Sequence, residues 1–172
     1  MDKKNKWREI VIGNFTSTDQ MVKVLTEKNI EITPFASRIL EKMPLEATPK
    51  KISVVEITPS ELGFTARPQR EEIYDRAERM GFRLVPPEVG PELLLIDPTF
   101  PNYAVLVGMY IAMQPIADDR GNNATFSLEG TDHVEYDTDG RPTVFMGKPK
   151  LFAGTGLGIG YDIASIWIFL RK

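Results

Sequence analysis

The chain has 172 residues, of which 42% are hydrophobic and 26% charged, and its formal net charge is −3. This length suits one hydrophobic core, and no long linker or internal repeat divides residues 1–172, so we expect a single domain. The weak, acidic net charge argues against nucleic-acid binding. The chain has no cysteine, which excludes disulfides, thiolate nucleophiles and sulfur-based zinc sites.

No segment has the pattern of a signal peptide or a transmembrane helix. The longest uncharged stretch of moderate hydropathy, residues 101–117, includes two prolines, Asn102 and Gln114. It falls short of the roughly 20 apolar residues that a membrane helix needs. We therefore expect no membrane insertion and, by default, a cytoplasmic protein.

The first two predicted elements are helices with recognisable starts. Ser17 and Gln20 form a capping box, because each side chain can satisfy a free N–H group at a helix start, and they predict a helix over residues 18–27. Thr33 followed by Pro34 is the second such signal, since proline suits the first turn of a helix.

A strand and a third helix follow. Residues 50–58 are rich in β-branched side chains and predict a strand. Residues 68–80 form the clearest predicted helix, with acidic side chains in its first turn and Gly81 at its end. A further helical segment is expected to open at Thr58, where a proline again follows.

The remaining elements are predicted to be short strands separated by polar turns. Turn-forming residues at 118–123 and 137–140 favour antiparallel hairpins. The chain therefore predicts an α+β fold, in which a helical N-terminal half packs on a mainly antiparallel β C-terminal half. The segments concerned are 84–87, 93–96, 103–113, 124–128, 133–136, 143–146 and 166–170.

The acidic segment 118–141 raises the question of a metal site. Several carboxylates in tight turns are the ligands that calcium prefers. Asp137 to Gly140 resembles the opening of a calcium loop, but no carboxylate follows where such a loop needs one, so solvated hairpin turns are favoured. His133 is the single histidine. We interpret it as an exposed strand residue rather than a catalytic base, and predict neither metal ligands nor catalytic residues.

The glycine-rich stretch 154–160 lacks the spacing and the following helix of a dinucleotide site, so it predicts a turning loop before the last strand.

Carboxylates and arginines interleave along the third predicted helix and up to residue 83, and they favour a solvated face with ion pairs. Trp167 and Phe169 in the last strand are explained by core packing.

Several segments together resemble a bacterial protein family over roughly residues 58–172. In that family, the residues before the closing aromatic strand resemble the variable region of diversity-generating retroelement target proteins. There, an error-prone reverse transcriptase rewrites the adenines of asparagine-type codons, and residues 153–166 consist entirely of residue types that such codons give. The resembling segments are 60–64, 71–77, 81–84, 86–93, 113–118 and 167–172.

This resemblance implies a ligand-binding display protein with a variable C-terminal surface, on a C-type-lectin-like scaffold. Such a protein needs no cofactor and is not an enzyme; its ligand is expected to be another protein. Tyr161 is the expected anchor, because aromatic side chains dominate interface energetics. Two alternatives stay open: a structural or protein-interaction domain, and a metal-dependent enzyme using the acidic turns of 118–139 with His133. The predicted ligand contacts are Thr155, Leu157, Ile159, Tyr161, Asp162 and Ser165.

Overall fold

The structure, a computed structural model, describes residues 7–98, 108–129, 132–136, 138–139, 141–156, 158 and 160–171. The described helices are α1 (Thr18–Glu27), α2 (Pro34–Leu40), α3 (Arg70–Arg79) and α4 (Val89–Ile96). The described strands are β1 (Trp7–Ile12), β2 (Glu31–Ile32), β3 (Lys50–Ile57), β4 (Met109–Ile111), β5 (Ile116–Ala117), β6 (Asn123–Glu129), β7 (Asp132–Tyr136), β8 (Pro142–Met146), β9 (Lys150–Gly154) and β10 (Ile166–Leu170). Strands and helices alternate from β1 to α3, α4 follows α3 directly, and the described elements after α4 are all strands.

Eight of these strands form one mixed sheet. Its order is β1-β3-β10-β4-β6-β9-β2, with β5 paired to β6, while β7 and β8 form a separate hairpin. Two neighbouring pairs, β10 with β4 and β2 with β9, are parallel. Strands from both halves of the chain therefore share one sheet. The expected α+β arrangement, with a helical first half on a mainly antiparallel, lectin-like second half, is wrong.

Both faces of the central sheet are buried. Along β10, Ile168 belongs to one hydrophobic cluster and Trp167 to the other, because successive side chains of a strand point to opposite faces. Val54 and Val55 divide in the same way on β3. Helices α1, α2 and α4 cover the first face and α3 covers the second. The helical residues that do so include Met21, Leu25, Ile39, Leu40, Leu93 and Leu94 on the first face, and Ile73 and Ala77 on the second.

The predicted starts of the first two helices are confirmed. α1 has its predicted bounds, and the Ser17 hydroxyl accepts a hydrogen bond from the Gln20 N–H at 3.1 Å. The Gln20 side chain, however, accepts from Thr16 rather than from Ser17. α2 begins at Pro34, α3 begins two residues later than predicted, and β3 covers the predicted strand.

Residues 93–96, predicted as a strand, are instead part of α4. This helix is buried along most of its length, from Val89 to Leu94. A helix buried on every side has no polar face and so no helical periodicity, and a short apolar run then looks the same as a buried strand. The helical segment expected at Thr58 is also wrong, because the chain makes only a single turn there.

In the second half, the predicted strands at 124–128, 133–136, 143–146 and 166–170 are confirmed as β6, β7, β8 and β10. Residues 84–87 make an isolated bridge at Val85 rather than a strand. Of the strand predicted at 103–113, residues 109–111 form β4, and residues 103–107 lie outside the described part. Among the described helices, none has the length and apolar character to cross a bilayer.

Candidate functional site

Residues 155–165 connect β9 to β10, and we call them the glycine loop. β9 is antiparallel to β6, β6 is antiparallel to β4, and β4 is parallel to β10, so β9 and β10 run in the same direction. Parallel strands need a crossover that returns along the sheet, usually through a helix. Here the glycine loop makes that crossover, and Tyr161 packs in the cluster beneath α3. Residues 157 and 159 lie outside the described part.

Hydrogen bonds to the backbone of the glycine loop hold it against the start of α3. The Arg70 guanidinium donates to the Thr155 carbonyl at 3.2 Å, and the Gln69 side-chain amide donates to the Gly158 carbonyl at 3.2 Å. The Tyr161 N–H donates to the Pro68 carbonyl at 2.9 Å. Further along, the Ile163 carbonyl accepts from the backbone N–H of residue 60 at 3.0 Å. These four contacts fix the course of the loop.

Gly160 allows the closest approach between the loop and the chain before α3. Its φ of +82° lies in the left-handed region, and a Cβ atom there would lie 2.9 Å from the carbonyl oxygens of both Arg67 and Pro68. Backbone oxygens cannot move aside as a flexible side chain can. Glycine is therefore required at this position for both conformational and steric reasons.

The rings of Tyr110 and Trp167 support the loop by packing against its Tyr161 ring. The Tyr161 ring meets the Trp167 ring edge-on at a centroid distance of 4.7 Å and the Tyr110 ring at 4.8 Å. Tyr110 and Trp167 stack at 5.0 Å. Burial raises the pKa of Tyr161 and of Tyr110 above their ordinary values, so both phenols stay neutral at physiological pH. The rings form an apolar support rather than an acid–base pair.

The end of the loop is held by a chain of hydrogen bonds that starts at the core. The Trp167 indole N–H donates to the Ser165 hydroxyl at 3.1 Å, and this hydroxyl donates to the Asp162 carbonyl at 2.6 Å. The Asp162 carboxylate accepts from the Ala164 N–H and lies 3.5 Å from the Arg67 guanidinium. This series of hydrogen bonds gives the buried indole N–H its partner and closes a tight turn before β10.

The structure gives the predicted contact residues different surroundings. Thr155 is half-buried, and Asp162 keeps 44% of its side chain exposed. Tyr161 is packed on the aromatic rings, and Ser165 is fully buried, so both suit support of the loop better than contact with a ligand. Leu157 and Ile159 fall outside the described residues.

Sequence reasoning missed the residues that position the loop: Gln69, Arg70 and Tyr110. Arg70 was expected on a solvated helix face, which is wrong because it is only 8% exposed. Its guanidinium also bonds the carboxylate of Glu71, whose pKa is lowered mainly by a hydrogen bond to its own backbone N–H and further by Arg70. A charged residue in the first turn gave no sequence signal of burial.

The neighbouring helix start offers no open phosphate site. The Glu72 carboxylate accepts the Gln69 N–H at 2.7 Å, and Glu71 adds a second negative charge in the first turn of α3. An anion would meet repulsion there rather than free N–H groups. The loop itself leads into a strand, as the sequence predicted, and not into a nucleotide-binding helix.

The acidic segment is built from turns where it is described. The Asp118 carboxylate accepts hydrogen bonds from the Arg120 N–H at 2.8 Å and from the Asn122 N–H at 2.9 Å. Its pKa is lowered, first by the Asn122 side-chain amide. The described residues hold no group of three or more histidine, cysteine, aspartate or glutamate side chains suited to a metal. The side chain of His133 and all of Asp137 fall outside them.

Comparisons of the chain with models of protein families, with curated proteins and with solved structures found no significant match. The resemblance to retroelement target proteins therefore stays a prediction, and function must be inferred from the geometry of the site.

Proposed function

We propose that this protein binds a ligand through the glycine loop, which serves as a surface whose side chains can vary while its backbone stays in place. The observation that carries this proposal is the set of anchors on Thr155, Gly158, Tyr161 and Ile163. Each of these four hydrogen bonds reaches a backbone atom of the loop from residues outside it.

Backbone anchoring separates the course of the loop from its side chains. The carbonyl of residue 155 accepts the same hydrogen bond whatever side chain that residue carries. Gly158, with a φ of +143°, and Gly160 are the fixed positions, because their backbone conformations require glycine. A rigid scaffold that holds a loop of changeable composition is the usual arrangement for recognition. Tyr161 and Ser165 differ from the rest, because their side chains themselves make the supporting contacts.

The proposal therefore assigns the ligand contacts to the outer part of the loop. Thr155, Tyr161 and Asp162 are partly exposed, but the Tyr161 ring packs on neighbouring rings, which leaves Thr155 and Asp162 as the described contacts. Leu157 and Ile159 complete the set as proposals. Ala164, which is exposed, extends this surface. A protein partner fits it better than a sugar, because Leu157, Ile159 and Ala164 are apolar and the loop offers few polar side chains.

The test is to sequence the neighbourhood of the gene in related isolates and compare the codons for residues 153–166. Diversification predicts a reverse transcriptase gene nearby, a near-copy of these codons, and differences confined to adenine positions of that copy. We expect the codons for Gln69, Arg70, Tyr110 and Trp167 to remain unchanged among the same isolates. Changes spread evenly over loop and scaffold, with no template copy, would overturn the proposal.

A further inference from the structure

A second candidate site lies on the same face of the sheet, beside the later part of α3. It is a cavity of about 260 Å³ lined by residues of α3, of β10 and of the chain that follows α3. Among the described residues, none of the glycine loop lines it. The cavity is therefore distinct from the surface proposed above, and either site can exist without the other.

Three aromatic side chains, Tyr74, Phe82 and Phe169, are among the residues that line this cavity. Tyr74 and Phe169 meet at a centroid distance of 6.3 Å with their planes inclined by 82°, and Phe82 and Phe169 meet at 6.4 Å with planes inclined by 42°. The Tyr74 hydroxyl donates to the Met113 carbonyl at 3.0 Å, which fixes this ring. Aromatic rings that line a cavity attract organic cations, because the face of each ring carries a partial negative charge.

The rim of the cavity carries more negative than positive charge. Asp75 and Glu78 lie one turn apart on α3 and are exposed, and Arg83 supplies the single positive charge in the lining. Two negative charges and one positive charge leave a net charge of −1. No ion pair with these three side chains is found in the described part of the chain, and the cation–π contacts found there use Phe35 and Phe64.

The volume of the cavity restricts its ligand to a small molecule or group. Pockets for drug-sized ligands run from roughly 300 to 1,000 Å³, so a cavity of about 260 Å³ suits a smaller group. Strongly hydrated cations gain little from aromatic rings, whereas an alkylated ammonium group buries its methyl groups against them and keeps its charge.

We propose that the cavity formed by Tyr74, Phe82 and Phe169 binds a small alkylated ammonium compound, with Asp75 and Glu78 supplying the complementary negative charge. The methyl groups contact the ring faces, and the carboxylates attract the positive charge at the rim. This site adds a small-molecule ligand to a protein whose loop we propose to meet a macromolecule.

The test is a titration of the full chain with choline, followed by two-dimensional NMR, with 3,3-dimethylbutan-1-ol as a matched probe of the same shape without the charge. We expect saturable chemical-shift changes for Tyr74, Phe82 and Phe169 with choline. The neutral alcohol should bind at least about tenfold more weakly than choline. Equal affinity for the two probes, or no saturable shift with choline, would overturn the proposal.

Two variants locate the binding. Phe82→Leu should weaken choline binding about tenfold, because a ring face is lost while an apolar side chain is kept. Phe64→Leu is its control, since Phe64 is also half-buried beside α3 but lies outside the cavity, and it should bind choline as the unaltered chain does. If Phe82→Leu does not fold, Asp75→Asn combined with Glu78→Gln tests the rim on two exposed positions. Undiminished binding in both the ring and the rim variants would contradict the proposed site.

Discussion

The Arg70 guanidinium donates a hydrogen bond to the Thr155 carbonyl at 3.2 Å, although 85 positions separate the two residues in the chain. Only 10% of the Arg70 side chain is exposed. A charged group buried to this degree is retained where its hydrogen bonds are satisfied. Arg70 therefore ties the glycine loop to α3, and it does so without depending on the side chain of residue 155.

Replacing Arg70 by alanine should lower the free energy of unfolding by about 1.5–3 kcal/mol, since a charge-assisted hydrogen bond to the half-buried Thr155 carbonyl is lost. Urea unfolding followed by circular dichroism measures this change. Arg79→Ala is the matched control, because Arg79 is exposed at the other end of the same helix, and it should change the value by no more than about 0.5 kcal/mol. Equal losses in both variants would mean that Arg70 does not hold the loop.

Replacing Gly160 by alanine should destabilise the protein more than a positive φ alone explains. Gly121 gives the comparison, because its φ of +79° is nearly the same as the +82° of Gly160, yet a Cβ atom there would meet nothing within 4 Å. We expect Gly121→Ala to cost about 1 kcal/mol from backbone strain, and Gly160→Ala to cost at least about 2 kcal/mol. Thermal unfolding of the two variants side by side measures the difference. Similar melting temperatures would show that the loop does not approach the Arg67 and Pro68 carbonyls so closely.

The proposed division between loop surface and loop support makes a direct prediction. Thr155→Asn and Ala164→Asn should each change the free energy of unfolding by no more than about 0.5 kcal/mol, because neither side chain makes a hydrogen bond or an ion pair within the described part of the chain. Tyr161→Asn should cost about 2 kcal/mol or more, since its ring packs on Tyr110 and Trp167. The three variants can be compared by urea unfolding. A tolerant Tyr161, or an intolerant Thr155, would contradict the assigned roles.

The elements with local signals could be predicted from the sequence. The hydroxyl cap at Ser17 and the proline after Thr33 determine helix starts through neighbouring residues alone, and both predictions are confirmed. Prediction from hydrophobic periodicity failed for α4, because this helix is buried along most of its length and has no polar face to reveal the helical period. The order of the sheet could not be predicted, since β3 pairs with β10, and β2 with β9, across most of the chain length.

The candidate site was predicted in outline only. The glycine-rich composition at 154–160 predicted a turning loop before the last strand. The partners that hold it could not be foreseen, because Gln69 and Arg70 have the composition of an ordinary first helical turn. The burial of Arg70 and the hydrogen bond from Gln69 to the loop arise from a crossover that places the loop over this turn. Such long-range contacts leave no periodic pattern in either segment.

Glu92 is a buried carboxylate whose environment predicts a pH dependence of stability. It is 4% exposed, its carboxylate accepts a hydrogen bond from the Asn14 amide at 3.0 Å, and Glu88 on the same segment is fully buried. Burial raises the pKa of Glu92 above its ordinary value of 4.5, and the Glu88 charge raises it further, while the Asn14 hydrogen bond acts against both. The folded protein therefore keeps a proton on Glu92 at a pH where the unfolded chain has released it.

From pH 4.5 up to the raised pKa, the folded state binds more protons at Glu92 than the unfolded state does, so this residue makes the free energy of unfolding fall as pH rises. Glu92→Gln removes this contribution to the pH dependence of the free energy of unfolding, and the glutamine oxygen can still accept the hydrogen bond from Asn14. We therefore expect the stability of Glu92→Gln, relative to the unaltered chain, to increase between pH 4 and pH 7 in urea unfolding. A difference that does not vary with pH for Glu92→Gln would show that Glu92 titrates alike in the folded and unfolded states.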